Sequence, residues 1–180
     1  MESPKTALLV VDVQVGVVAE AVDRDAVVAN VATLVDRARS SQTPVIWVLH
    51  DDDAMPRHSD DWQLVPELAM GDGEPVIYKN YGDAFVATDL GLRLDDLDVG
   101  HLIVAGAQSD ACIISTLHGA VGRGYGATLV SDAHTTEDLT AHGAPAPAAV
   151  VAHTNMMWDM HGVPNRETGT VTTADAAFDS

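Results

Sequence analysis

The sequence is short of cysteine, of lysine and of long apolar runs, and each shortage excludes something. A single cysteine among 180 residues rules out an internal disulfide and a zinc site of the four-cysteine kind. No run of about 18 apolar residues is present, so no helix is expected to span a membrane. Met1-Glu2-Ser3-Pro4-Lys5 leads straight into an apolar run, without the basic region and cleavage site of a secretory signal. The expectation is a cytoplasmic protein. Basic residues number 9 against 27 acidic, a formal net charge of −18. Phosphate binding needs clustered Lys and Arg that displace counterions, so nucleic acid is not an expected partner. A glycine-rich phosphate loop is missing too. Asp12-Val13-Gln14-Val15-Gly16 offers one glycine and a carboxylate, which excludes a mononucleotide-binding flavodoxin-like domain.

The residues that are present describe a globular chain. Hydrophobic residues make up 47%, and the length suits one domain over residues 1–180. The acidic excess, 21 Asp and 6 Glu, has two readings: a solvated surface adapted to concentrated salt, or a field that favours a cationic substrate. Its even spread along the chain favours the first. Strand-like runs fall at Thr6–Asp12, Pro44–His50, Pro75–Lys79, His101–Ala107 and Ala127–Ser131, with a weaker one at Gly169–Thr173. Helix-like stretches fall between them at Asp25–Ser41, Leu90–Leu97, Ala111–Gly122 and Pro147–His161. Ser109 and Asp110 stand before the third as candidate caps. Nearly continuous Val, Leu, Ile and Ala in the first and fourth strands marks them as buried on both faces. The pattern predicts an α/β fold of three layers, a doubly wound, mostly parallel six-stranded sheet with helices on both faces.

Ligands of such sheets bind outside the carboxyl ends of the strands. There the sequence places Asp12, His50, Lys79 and the segment Gly106–Cys112. Cys112 falls in the first turn of a helix, where amide donors and the dipole favour a thiolate. A nearby Lys79 ammonium lowers a thiol's pKa further, and Asp12 is placed to accept the proton. Lys79 is also one of only two lysines in the chain.

These residues resemble the isochorismatase-like cysteine hydrolases. The resemblance rests on Leu8-Leu9-Val10-Val11-Asp12-Val13-Gln14, on Lys79-Asn80-Tyr81-Gly82-Asp83-Ala84-Phe85, and on Gly106-Ala107-Gln108-Ser109-Asp110-Ala111-Cys112. Asp132-Ala133-His134-Thr135-Thr136 also fits the pattern, and the likeness runs from about Thr6 to Thr173. It implies a catalytic triad of Asp12 as general base, Lys79 as positioning cation and Cys112 as nucleophile. It also implies a non-proline cis peptide at Ala107–Gln108, which turns the Gln108 N–H inward to form an oxyanion hole with the Cys112 N–H. A small-molecule substrate, no cofactor and a homo-oligomer, dimer or tetramer, are implied as well.

The presence of Cys112 points to the side of the family that hydrolyses amides, lactams or N-carbamoyl groups, rather than to isochorismatase activity. Nicotinamidases of the family carry an Asp-and-two-His metal cluster after the second strand. Here His50, Asp52 and His58 come in the wrong order and spacing, so no metal is expected. Val17 also stands where those enzymes place an aromatic. Val13–Val18, Trp62–Leu68, Thr116–Ala120, Ala141–Pro145 and Ala152–Asn155 look more like the streptothricin-hydrolase branch. Gln14, His50, Trp62, Tyr81 and Phe85 are the candidate substrate-binding residues, with packing under loops as the plainer alternative for the aromatics. Met156, Met157, Trp158 and Met160 suggest core or a subunit contact. A thiol redox sensor and a catalytically idle binding module stay open as rivals. The first lacks a resolving cysteine, and the intact Asp12, Lys79 and Cys112 set weighs against the second.

Overall fold

The computed structural model describes residues 5–178; Met1–Pro4, on which the expectation of no secretory signal falls, and residues 179–180 lie outside that range. Six strands form one sheet: β1 (Lys5–Val11), β2 (Val45–His50), β3 (Val76–Lys79), β4 (Val99–Ala107), β5 (Gly126–Thr135) and β6 (Thr168–Val171). Their order is β3-β2-β1-β4-β5-β6, and every neighbouring pair is parallel. Helices α1 (Val15–Val18), α2 (Arg24–Ser40), α3 (Leu90–Asp96), α4 (Ile114–Gly122) and α5 (Pro147–Asp159) connect them. The expected three-layer fold is present, with a sheet parallel throughout. Among the described residues no helix is long and apolar enough to cross a membrane.

Alternation along the buried strands builds two cores. Leu8, Val10 and Trp47 pack with Val31, Leu34 and Val35 of α2 on one face. Leu9, Val11, Ile46 and Val48 pack on the other with Leu90 and Leu94 of α3, Leu117 of α4 and Trp158 of α5. In α5 only Trp158 of the four clustered residues is core; Met156, Met157 and Met160 are exposed.

The order in which the chain adds strands reverses between β1 and β4, the switch point at which doubly wound folds bind ligands. The two strands lie close there. Val11 is in register with Gly106, and a Cβ on Gly106 would fall 2.0 Å from the Val11 carbonyl oxygen at a φ of +128°. Only glycine fits that position.

Two elements differ from expectation. The strand expected at Ala127–Ser131 continues to Thr135, past the polar Ser131-Asp132 pair. Partners outside the sheet pattern explain this: Asn30 donates to the Asp132 carbonyl, and the Asp132 carboxylate accepts from the Thr173 N–H and hydroxyl. The register jumps accordingly, from Val104↔Leu129 to Gly106↔His134. The helix expected at Ala111–Gly122 begins instead with a π-turn, Ser109–Ile113, closed by Ile113 N–H donating to Gln108 O at 3.1 Å. Ser109 and Asp110 do not cap it, because their side chains bond to His134 and Thr136.

Candidate active site

Three strand ends converge on one point. Asp12 follows β1 with a left-handed φ of +51°, which Asp tolerates better than most residues, and its N–H stays bound to Val48 O at 2.9 Å. Lys79 ends β3 directly beside His50 at the end of β2. Cys112 comes from the π-turn after β4. Lys79 Nζ lies 2.6 Å from Asp12 Oδ2, 3.1 Å from Cys112 Sγ and 3.3 Å from His50 Nδ1. An ammonium only donates, so Nδ1 accepts; the His50 proton is then on Nε2, which faces Asp52 Oδ2 at 3.3 Å. Ligand atoms of Asp12, His50 and Cys112 all lie within 4.8 Å of one another, and the cation they surround is Lys79's own. His58, the third member of the metal cluster weighed from the sequence, packs edge-on against Trp62 instead.

Burial sets the protonation states. Asp12 and Lys79 are each 1% exposed. Desolvation raises the Asp12 pKa, and the nearby Lys79 charge offsets this only in part. For Lys79, burial pulls the pKa down, but the charges of Asp12 and Cys112 pull it up by more, so the ammonium persists. Burial and then the Asp12 charge push the Cys112 thiol up to about 11, against the opposing pull of Lys79. A helix dipole and a lysine suggested a resting thiolate; desolvation outweighs both, and the resting group is a thiol.

The peptide bond Ala107–Gln108 is cis, as the resemblance implies. Gln108 and Cys112 line a cavity of about 490 Å³ together with Asp12, His50 and the apolar Val17, Ala54, Met55 and Ala111. Of the five candidate substrate-binding residues, His50 alone is on this wall.

The other four are elsewhere. Gln14 is fully buried; its Nε2 donates to the carbonyls of His50 (2.9 Å) and Trp62 (2.8 Å), and its Oε1 accepts from the His50 N–H (2.8 Å). Its polar atoms are occupied in tying the β2 loop to β1. Trp62 is buried between His58 and Tyr78. Phe85 is buried against Tyr125, with Arg123 over its ring. Tyr81 is 57% exposed and off the cavity wall. An aromatic near a motif looks the same in sequence whether it packs under a loop or faces a ligand.

Sequence reasoning passed over a buried chain behind the nucleophile. Ser109 Oγ and His134 Nδ1 are 2.7 Å apart, His134 Nε2 and Asn155 Oδ1 2.9 Å, and Asn155 Nδ2 donates to Ser131 O at 2.9 Å. In the sequence His134 and Asn155 are only pieces of longer motifs, with no spacing to link them to Ser109. Acidic residues Asp61 and Glu137 also line the cavity, and nothing in sequence separates them from the other acids.

A doubly wound sheet with an Asp–Lys–Cys cluster at its switch point defines the class of protein. Residues 6–160 match the isochorismatase domain, and the chain belongs to the isochorismatase family. It is 37% identical over 144 residues to a streptothricin hydrolase of Streptomyces noursei, a match covering 77% of this chain and 57% of that protein. The chain therefore spans little more than half the length of that relative. A shorter stretch of 63 residues, 35% of this chain and 24% of the relative, is 38% identical to an N-carbamoylsarcosine amidase of Arthrobacter. Among solved structures, an isochorismatase of Pseudomonas putida superposes with a TM-score of 0.82 at 30% identity, covering 98% of this chain and 94% of that one.

Proposed function

We propose that this protein is a cysteine hydrolase that cleaves a non-peptide C–N bond of a small molecule, an amide, lactam or N-carbamoyl group, through a thioester. The observation that carries the reading is the approach of Lys79 Nζ to both Asp12 (2.6 Å) and Cys112 (3.1 Å) at the wall of a 490 Å³ cavity. Similarity to a streptothricin hydrolase and an N-carbamoylsarcosine amidase supports the amide side of the family.

Each step moves one proton. Sulfur attacks the carbonyl carbon while the thiol proton passes to the Asp12 carboxylate, whose basicity burial has raised. The oxyanion is met by the Gln108 and Cys112 backbone N–H groups, at about 3–4 kcal/mol per donor, and by the charge of Lys79. As the C–N bond breaks, Asp12 returns the proton to the leaving nitrogen. Water then adds to the thioester, giving a proton to Asp12; collapse expels the Cys112 sulfur, which takes that proton back. The acid leaves and the thiol is restored. No step needs a cofactor or metal.

A hydrolysis screen over small amides, lactams, N-carbamoyl compounds and nicotinamide, in low and molar salt, tests this. Cys112-dependent release of ammonia or amine is expected. Turnover retained by Cys112→Ala, or none by folded wild type, overturns it.

A further inference from the structure

The turn that carries Cys112 has an unusual hydrogen-bond register. Gln108 O accepts from the Ala111 N–H and from the Ile113 N–H, each at 3.1 Å. Among the described residues it accepts nothing from the Cys112 N–H, the donor that an α-turn would place on it. The turn is wound instead as a π-turn, Ser109–Ile113, a form rare beside the α-turn open to the same residues. Ser109 is the second local partner that the Cys112 N–H forgoes. A serine opening a helix ordinarily accepts from the amide three residues further on, which here is Cys112. Both local acceptors thus leave that N–H unspent, at a cavity wall formed by Gln108, Ala111 and Cys112.

What holds this register lies outside the turn. Ser109 is fully buried, and its hydroxyl has one proton to give, which goes to His134 Nδ1 at 2.7 Å. The direction is set from behind. Asn155 Nδ2 donates to Ser131 O at 2.9 Å, so Asn155 Oδ1 accepts the His134 Nε2–H at 2.9 Å, and Nδ1 of the neutral ring is left as acceptor. The three side chains come from three elements: the π-turn, the end of β5 and α5. Next to Ser109, Asp110 Oδ1 accepts the Thr136 hydroxyl at 2.8 Å, so two consecutive turn residues are clipped to the chain at the end of β5.

We infer that His134 is a positioning residue of this site: by holding the Ser109 hydroxyl it keeps the turn in the π register, and so frees the Cys112 N–H to meet the oxyanion. That purpose rests on the hydrolase reading above; the register itself does not. Released from His134, the turn has two ways to consume the N–H, an α-turn bond to Gln108 O or a cap from Ser109 Oγ. Either one takes a donor away from the oxyanion.

Hydrogen exchange reads the register without any substrate. Cys112 is the lone cysteine, so isotopic labelling of cysteine gives a single amide signal in the nuclear magnetic resonance spectrum of the whole chain. Ile113 is followed in uniformly labelled protein. In wild type the Cys112 amide should exchange faster than that of Ile113 by about tenfold or more, once each is divided by its intrinsic rate. His134→Leu takes the acceptor away from Ser109, and Ser109→Ala removes one oxygen atom. Each should slow the Cys112 amide by about tenfold or more, and the smaller change keeps the test in hand if His134→Leu fails to fold. A merely structural role predicts the reverse, because a destabilised chain opens more often and its amides exchange faster. His134→Asn puts Oδ1 where Nδ1 stood and should keep the wild-type Cys112 rate. Equal protection of Cys112 and Ile113 in wild type overturns the inference. So does a Cys112 rate unchanged or raised in either folded variant, or a His134→Asn rate that matches His134→Leu. None of these results bears on the hydrolase reading, which stands or falls with Cys112→Ala turnover.

Discussion

Lys79 Nζ touches Cys112 Sγ at 3.1 Å, yet the thiol it touches is harder to ionise than a free cysteine. Both facts have one origin. The lysine is shared with Asp12, only 2.6 Å away, and the whole cluster is out of water. Within that cluster a second anion on sulfur would face the first on Asp12. Storing the nucleophile as a thiol beside a carboxylate of raised pKa keeps one negative and one positive charge in the buried site. The proton then moves only when sulfur is committed to carbon.

The thiol's titration follows directly. Thiolate formation, read from ultraviolet absorbance or from the pH dependence of iodoacetamide labelling, should have its midpoint near the value of about 11 set by burial. Asp12→Asn removes an opposing charge and should lower the midpoint. Lys79→Met removes the one favourable charge and should raise it. A wild-type midpoint at or below the ordinary value of about 8.5 contradicts the desolvated site.

Removing Lys79 also strands Asp12. Breaking a buried ion pair from one side costs about 3–5 kcal/mol, and urea unfolding of Lys79→Met at pH 7 should show a loss of that size. The sign with pH is fixed. A carboxylate whose folded pKa is raised above its unfolded value holds its proton longer in the folded state, so stability is fullest in acid and falls as pH rises through the folded pKa. Lys79→Met should therefore regain stability on acidification more than wild type does. Asp12→Leu/Lys79→Met, which removes both charges, should recover most of the loss. Equal pH dependence in Lys79→Met and wild type contradicts this.

The parts of the site legible in the sequence were those in which chemistry and position coincide. Asp12, His50 and Lys79 stand where apolar runs stop, so the strand-end rule locates them without coordinates. Nearly unbroken apolar runs likewise marked β1 and β4 as central. Properties that depend on surroundings were not legible. Gln14 looked like a polar group near a base, and only its three hydrogen bonds show that its amide is occupied. The dipole and the lysine that would lower the Cys112 pKa are visible in sequence, while the desolvation that raises it is not. The π-turn under Cys112 was missed because the Ser109 and Asp110 side chains go to partners about 25 residues away.

Gly106 holds β4 against β1 at the switch point. With a Cβ 2.0 Å from Val11 O and a φ of +128°, Gly106→Ala forces the two strands apart. The cost should exceed the roughly 1–3 kcal/mol of an ordinary overpacked core, and it should move the β1 end that carries Asp12. Thermal unfolding and the Cys112 titration should both change. A variant that melts with wild type contradicts the close approach.

The chain behind the nucleophile responds to acid in the opposite sense to Lys79→Met. Asn155 Nδ2 is taken by Ser131 O, so Asn155 Oδ1 must accept from His134 Nε2–H, and His134 Nδ1 accepts the Ser109 hydroxyl. Every bond is satisfied with a neutral imidazole, and burial lowers the His134 pKa. The unfolded chain takes up this proton near the ordinary histidine value of about 6.5, while the folded chain resists until lower pH. Stability from this group is thus complete above about pH 6.5 and is lost as pH falls below it, levelling off once the folded histidine also protonates. His101 is shifted the same way, so His134→Asn should reduce, not abolish, the decline in unfolding free energy between pH 7.5 and 5. Asn155→Ala leaves the buried Nε2–H without its acceptor and should cost about 1–3 kcal/mol at neutral pH. Urea unfolding of the three proteins at both pH values checks this. If His134→Asn keeps the full wild-type slope, the acid sensitivity belongs to another group and the neutral relay behind Cys112 is wrong.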